Sequence, residues 1–130
     1  MAAQEGFRTM KLTVTFRAPE PGQLADGECF AQPFYRLWGG EGQPIVDGVF
    51  EGVGVDARAA YDDAVRRIEA EALCYGGDKD DPVTQHCANA YRLASATRPP
   101  SIPGGPFSCV LHFSDLLDDV GDKVYYQHVE

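Results

Sequence analysis

Residues 11–18 read K-L-T-V-T-F-R-A, and their strict alternation decides the fold class. Leu12, Val14, Phe16 and Ala18 fall on one side of an extended chain, and Lys11, Thr13, Thr15 and Arg17 on the other. Successive side chains of a strand point to opposite faces, so this spacing predicts a strand with one face on a core and the other in water.

Working outward, P-E-P-G-Q (19–23) makes a loop, and the aromatic-rich stretch 29–38 reads as a second strand. Pro33 cannot donate to a ladder, which forces an edge position or a bulge there. G-G-E-G-Q-P (39–44) is a turn, and a third strand follows at 45–55. Gly48, Gly52 and Gly54 within it indicate bulging or close backbone approach. Asp56 then caps a helix whose Ala57, Ala60, Tyr61, Ala64, Val65, Ile68 and Ala72 share one stripe, with Gly76-Gly77 ending it. A second helix opens with Asp81 as cap and Pro82 at its first position, and its expected buried face is Val83, Cys87, Ala90, Tyr91 and Ala94. Pro99, Pro100, Pro103 and Pro106 form a stiff connector to a strand at 107–113. Next, D-L-L-D-D-V-G-D (115–122) reads as a short helix capped by Ser114, and K-V-Y-Y-Q-H-V (123–129) as a final strand. Residues 1–10 are expected to form a flexible N-terminal segment of a single domain spanning 1–130.

These elements predict an α+β fold. Its antiparallel sheet has about four to five strands in βββααβ(α)β order, with two main helices packed on one face. Leu12, Val14, Phe16, Val65, Ile68 and Leu111 should form the core. In element order, over about half the chain, this resembles the β-meander-plus-helix modules of double-stranded RNA-binding domains and HicB-type antitoxins. The basic residues of the RNA-binding family are missing, so neither function nor sites carry over.

The charge balance restricts partners. With 20 acids against 11 bases the net charge is −9, a field that repels nucleic acid and anionic membrane and attracts basic proteins. Two-thirds of the imbalance lies in residues 56–130. No apolar run approaches the roughly 20 residues of a membrane span, and the N-terminus lacks the pattern of a signal peptide. A cytoplasmic location with reduced thiols at Cys29, Cys74, Cys87 and Cys109 is expected.

Chemistry-bearing patterns are sparse, and no cofactor or metal is expected. Zinc ligands usually come in close pairs, but His86-Cys87 and Cys109…His112 do not converge on a helix or strand. G-D-K-D-D-P-V (77–83) fails the calcium-loop spacing because Pro82 and Val83 occupy ligand and glycine positions. The glycines of W-G-G-E-G lack the Lys and following helix of a phosphate loop, and no G-x-S-x-G or H-E-x-x-H occurs. A Cys–His nucleophile needs no adjacency in sequence, so only the fold decides whether one is assembled. The balance leans away from an enzyme.

Asp115, Asp118, Asp119 and Asp122 stand at i, i+3, i+4 and i+7, which on a helix makes one carboxylate ridge. Such a ridge is either a solvated face or a contact surface for Lys and Arg. Phe30, Phe34, Tyr35, Trp38, Tyr125 and Tyr126 exceed what one sheet face can bury, so some are expected at a protein-binding surface. The candidate contact residues are therefore Asp115, Asp118, Asp119, Asp122, Tyr35, Trp38 and Tyr125. The expected function is a non-enzymatic protein-binding module, an inhibitor that engages the basic surface of a nucleic-acid-handling protein by charge mimicry. In character the chain is similar to phage-encoded inhibitors of host defence such as anti-CRISPR proteins. The alternative is a small enzyme or small-molecule-binding domain with a pocket between sheet and helices, marked by a buried polar cluster around His86, His112 or His128.

Overall fold

The computed structural model describes residues 8–21, 34–37, 45–74, 76, 78, 80–117 and 121–129. Their elements follow as β1 (Arg8–Arg17), β2 (Phe34–Leu37), β3 (Ile45–Gly54), α1 (Ala57–Cys74), α2 (Pro82–Ala96), β4 (Phe107–Leu117) and β5 (Lys123–His128). The strands form one sheet in the order β2-β3-β4-β1-β5, with both helices packed on a shared core against it. The architecture is α+β. The expected core assembles: Leu12, Val14, Phe16, Ile68 and Leu111 are fully buried together, and Val65 packs against them partly buried.

Both helices begin where their capping residues place them. The Asp56 carboxylate accepts the Ala59 N–H at 2.8 Å, and its carbonyl accepts the Ala60 N–H at 3.0 Å. Asp81 accepts from Val83 and Thr84 N–H, with Pro82 in the first turn. Each such cap contributes about 1 kcal/mol. Gly76, at φ 74°, closes α1 by donating to the Leu73 carbonyl. Helix α1 lies directly on β3. A Cβ at Gly52 would stand 2.2 Å from the Ala64 backbone nitrogen, so only glycine permits this approach.

Four expectations need correction. First, the sheet is mixed, because β1 runs antiparallel to β4 but parallel to β5. Both sides of β4 are occupied, by β3 and β1, so the chain leaving β4 must step past β1 to reach a free edge. It arrives there running in the direction of β1. Second, the short helix after Ser114 does not form over the described residues; Ser114–Leu117 continue β4. Arg8, Thr9 and Met10 extend β1 to pair with Leu117, Leu116 and Asp115, and a brief Asp-rich segment cannot match that ladder. Third, residues 8–10 consequently belong to the sheet rather than to a flexible segment, while residues 1–7 lie outside the described residues. Fourth, Tyr91 is 39% exposed, and the buried face of α2 instead includes Thr84, His86 and Leu93. As Pro33 foretells, β2 is an edge strand with a register shift between Arg36 and Leu37. None of the helices formed by the described residues is long and apolar enough to cross a membrane.

Candidate functional site

The residues expected at a contact surface do not form one ridge. Asp115 sits on β4 opposite Met10, half-buried. Asp122 is drawn into the fold: it accepts the Met10 N–H at 2.8 Å and binds the Arg92 guanidinium of α2 at 2.9 Å. Asp118, Asp119 and Trp38 lie outside the described residues. Tyr35 is a core-side residue rather than a surface one, with its ring edge-on to Phe50 and to His86. Its parity follows from pairing with Gly48, whose missing side chain points at α2. Tyr125 is exposed on the face opposite the helices, beneath the Lys11 ammonium at 5.1 Å. The structure thus brings Asp115 and Asp122 together around Met10 and separates them from Tyr35.

Between sheet and helices, where a ligand pocket is the alternative expectation, the described side chains are packed. Tyr35, Phe50, Phe113 and His86 form edge-to-face contacts with centroids 6.0–6.4 Å apart. The His86 Nε2 is buried with no hydrogen-bond partner among the described residues, directly over Gly48. Burial lowers its pKa to about 4, against the opposing pull of Asp47. A Cβ at Gly48 would lie 2.4 Å from that nitrogen, so glycine makes room for the ring. The Tyr35 hydroxyl lies 3.7 Å from the Cys87 sulfur. Desolvation pushes the Cys87 thiol up to about 11 and raises Cys109 as well, which makes both poor nucleophiles. A cleft of about 540 Å³ opens elsewhere, lined by Arg58, Tyr61, Asp62, Thr97, Arg98 and Pro99 on the helices and the connector.

The opposite sheet face carries a polar set around His112, which the sequence reading named, with partners Asp47, Glu51, Ser108 and Arg17 that it did not. Asp47 and Glu51 are 5% and 7% exposed there. Asp47 lies 3.0 Å from the His112 Nε2, and Ser108 donates a short hydrogen bond to Glu51, with Arg17 3.7 Å away. The signal was present in the alternation of Asp47, Val49, Glu51 and Val53, but it becomes legible only when β3 is paired with Ser108, Val110, His112 and Ser114 of β4. Ser108 is 1% exposed, so it is out of reach as a nucleophile.

A second overlooked feature is the junction between the helices. Leu73 in the last turn of α1 is 72% exposed. It sits five residues beyond Ile68 and therefore off the buried stripe. Glu69, Asp78 and Asp80 are exposed in the same stretch, where Asp78 accepts the Asp80 N–H. From Glu69 to Asp81 the sequence holds five acids against one base, Lys79. Among the described residues, no group of three or more His, Cys, Asp or Glu is arranged to hold a metal ion. No family model, curated protein or solved structure matches the chain.

Proposed function

We propose that this chain is a non-enzymatic binding module whose acidic surface engages the basic surface of a protein, an inhibitor whose carboxylates stand in for nucleic-acid phosphates. The observation that carries this reading is Leu73, 72% exposed, within a run from Glu69 to Asp81 that holds five acids against one base. An exposed apolar side chain in an acidic run offers contact area, and the charge around it in sequence steers association with a basic surface. This surface replaces the ridge at 115–122 as the leading contact region, because Asp122 is already engaged within the fold. The resemblance in character to phage-encoded inhibitors of host defence rests on size and charge.

The test is affinity capture at low and high salt with three baits: wild type, Leu73→Ser, and the combined Glu69→Gln, Asp78→Asn, Asp80→Asn variant. The amides keep size and local hydrogen bonding while removing three charges. A protein retained by wild type at low salt, released at high salt and lost from both variants supports the reading. Retention that ignores all three changes overturns it.

The Asp47–His112 pair favours a second reading, a small-molecule site on the sheet face. A partly exposed imidazole backed by a buried carboxylate can accept or donate a proton. A ligand that raises the melting temperature of wild type but not of His112→Phe would select that reading instead.

A further inference from the structure

We infer that β5 is a self-association edge, at which a second copy of this chain pairs antiparallel to extend the sheet. The two edges of the sheet are unlike. β2 has an irregular register, shifted between Arg36 and Leu37, a feature that blunts an edge against pairing. β5 has six residues, K-V-Y-Y-Q-H, in unbroken register with β1. It contains no proline, bulge or acid, and Val and Tyr favour extended structure.

The direction of its free backbone groups follows from the ladder. The Val129 N–H donates to the Phe16 carbonyl at 2.7 Å, while Phe16 is paired with His128. In a parallel ladder, alternate residues of one strand bond the neighbour. Lys123, Tyr125, Gln127 and Val129 therefore turn their backbone toward β1. Val124, Tyr126 and His128 turn theirs outward, where no strand of the described residues lies. A bare edge of donors and acceptors is a template for another strand.

A two-fold axis at Tyr126 pairs Val124 with His128 of the second copy and Tyr126 with its own counterpart. Every outward group is then matched, since an isologous interface needs only one self-complementary patch. Tyr125, Tyr126 and Val129 are 48%, 43% and 45% exposed, so apolar surface flanks the new ladder on both faces. The Tyr126 hydroxyl is already fixed by donating to the Arg98 carbonyl, so its ring is pre-positioned. The antiparallel arrangement sets the two Lys123 side chains about six residues apart along the ladder. That separation is roughly 20 Å, beyond two Debye lengths at physiological salt, so their charges do not oppose pairing. An antiparallel second copy is favoured over a parallel one for this reason. One strand pair is a small interface, and the dimer is accordingly weak.

Sedimentation equilibrium of the full chain tests this over protein concentrations from about 1 µM to about 1 mM, the range in which a weak dimer dissociates. The mass should double across the series. Added salt should shift the midpoint to lower concentration, because two copies of net charge −9 repel less when screened. That sign is opposite to binding of a basic partner, so the two proposals fail separately. His128→Pro removes one outward donor and no bond to β1, and should abolish doubling. Tyr126→Lys puts like charges on the axis and should do the same, which keeps the test decisive if the proline variant does not fold. A wild type that stays monomeric throughout, or a dimer that survives whichever variants fold, overturns the inference.

Discussion

His86 is held where burial outweighs the pull of Asp47 on a positive charge, because its Nε2 faces Gly48 with no hydrogen-bond partner among the described residues and its ring lies between Tyr35 and Phe113. Burial lowers its pKa from 6.5 to about 4 in the folded protein. Above pH 6.5 neither state is protonated, and the full stability is present. Between those values the unfolded chain takes a proton that the native chain refuses, so stability falls as pH falls. The loss attributable to this residue amounts to about 3 kcal/mol. Urea unfolding of wild type and His86→Leu at pH 7 and pH 4 isolates it, since carboxylate titrations are common to both. The difference between the two proteins should shift in favour of His86→Leu on acidification. A constant difference would show that the imidazole gains a partner in solution.

At the scale of elements, the turn before β5 depends on Asp122, which ties β1 to α2 through the Met10 N–H and Arg92. Asp122→Ala should cost about 1–3 kcal/mol in denaturant melts, because a backbone donor loses its acceptor. Asp122→Asn retains an amide oxygen for that donor and should cost less. Equal melts for wild type and alanine would remove the residue from the account of the fold. The local signals in the sequence were sufficient for residues 11–17 of β1, for α1 and for the start of α2: alternation, a helical stripe, and the caps Asp56 and Asp81 each act within a few residues. The segment after Ser114 was misread because its Asp spacing suits a helix, whereas its actual partners are Arg8–Met10, more than 100 residues away. The parallel course of β5 likewise depends on which edge β3 and β1 leave free. Tyr35 faces the core only through its register with Gly48, and the chain carries no local mark of that register. Tyr125 was legible as a residue outside the core, since adjacent tyrosines on a strand must diverge. Leu73 was legible in principle, lying off the helical stripe; what separates it from an ordinary exposed Leu is the acidic run from Glu69 to Asp81 around it, which has to be read together with the stripe.

For the whole molecule the governing quantity is net charge. At −9 the protein repels copies of itself and polyanions, and attracts cationic surfaces over distances set by ionic strength. Many of its exposed acids are tied up locally, as in Arg58–Asp62 and Arg92–Asp122. Around the helix junction, Glu69, Asp78 and Asp80 are exposed in the same stretch of sequence as Leu73, and on the proposed reading their charge and its apolar contact act on one partner. The central claim is that this surface recognises a basic protein. Its most direct measurement is the association rate of the captured partner with wild type and with the Glu69→Gln, Asp78→Asn, Asp80→Asn variant, by stopped flow from about 50 to about 500 mM salt. The account predicts fast association at low salt that slows steeply for wild type and much less for the variant, with the two rates converging at high salt. Identical rates and salt slopes for the two proteins would contradict it.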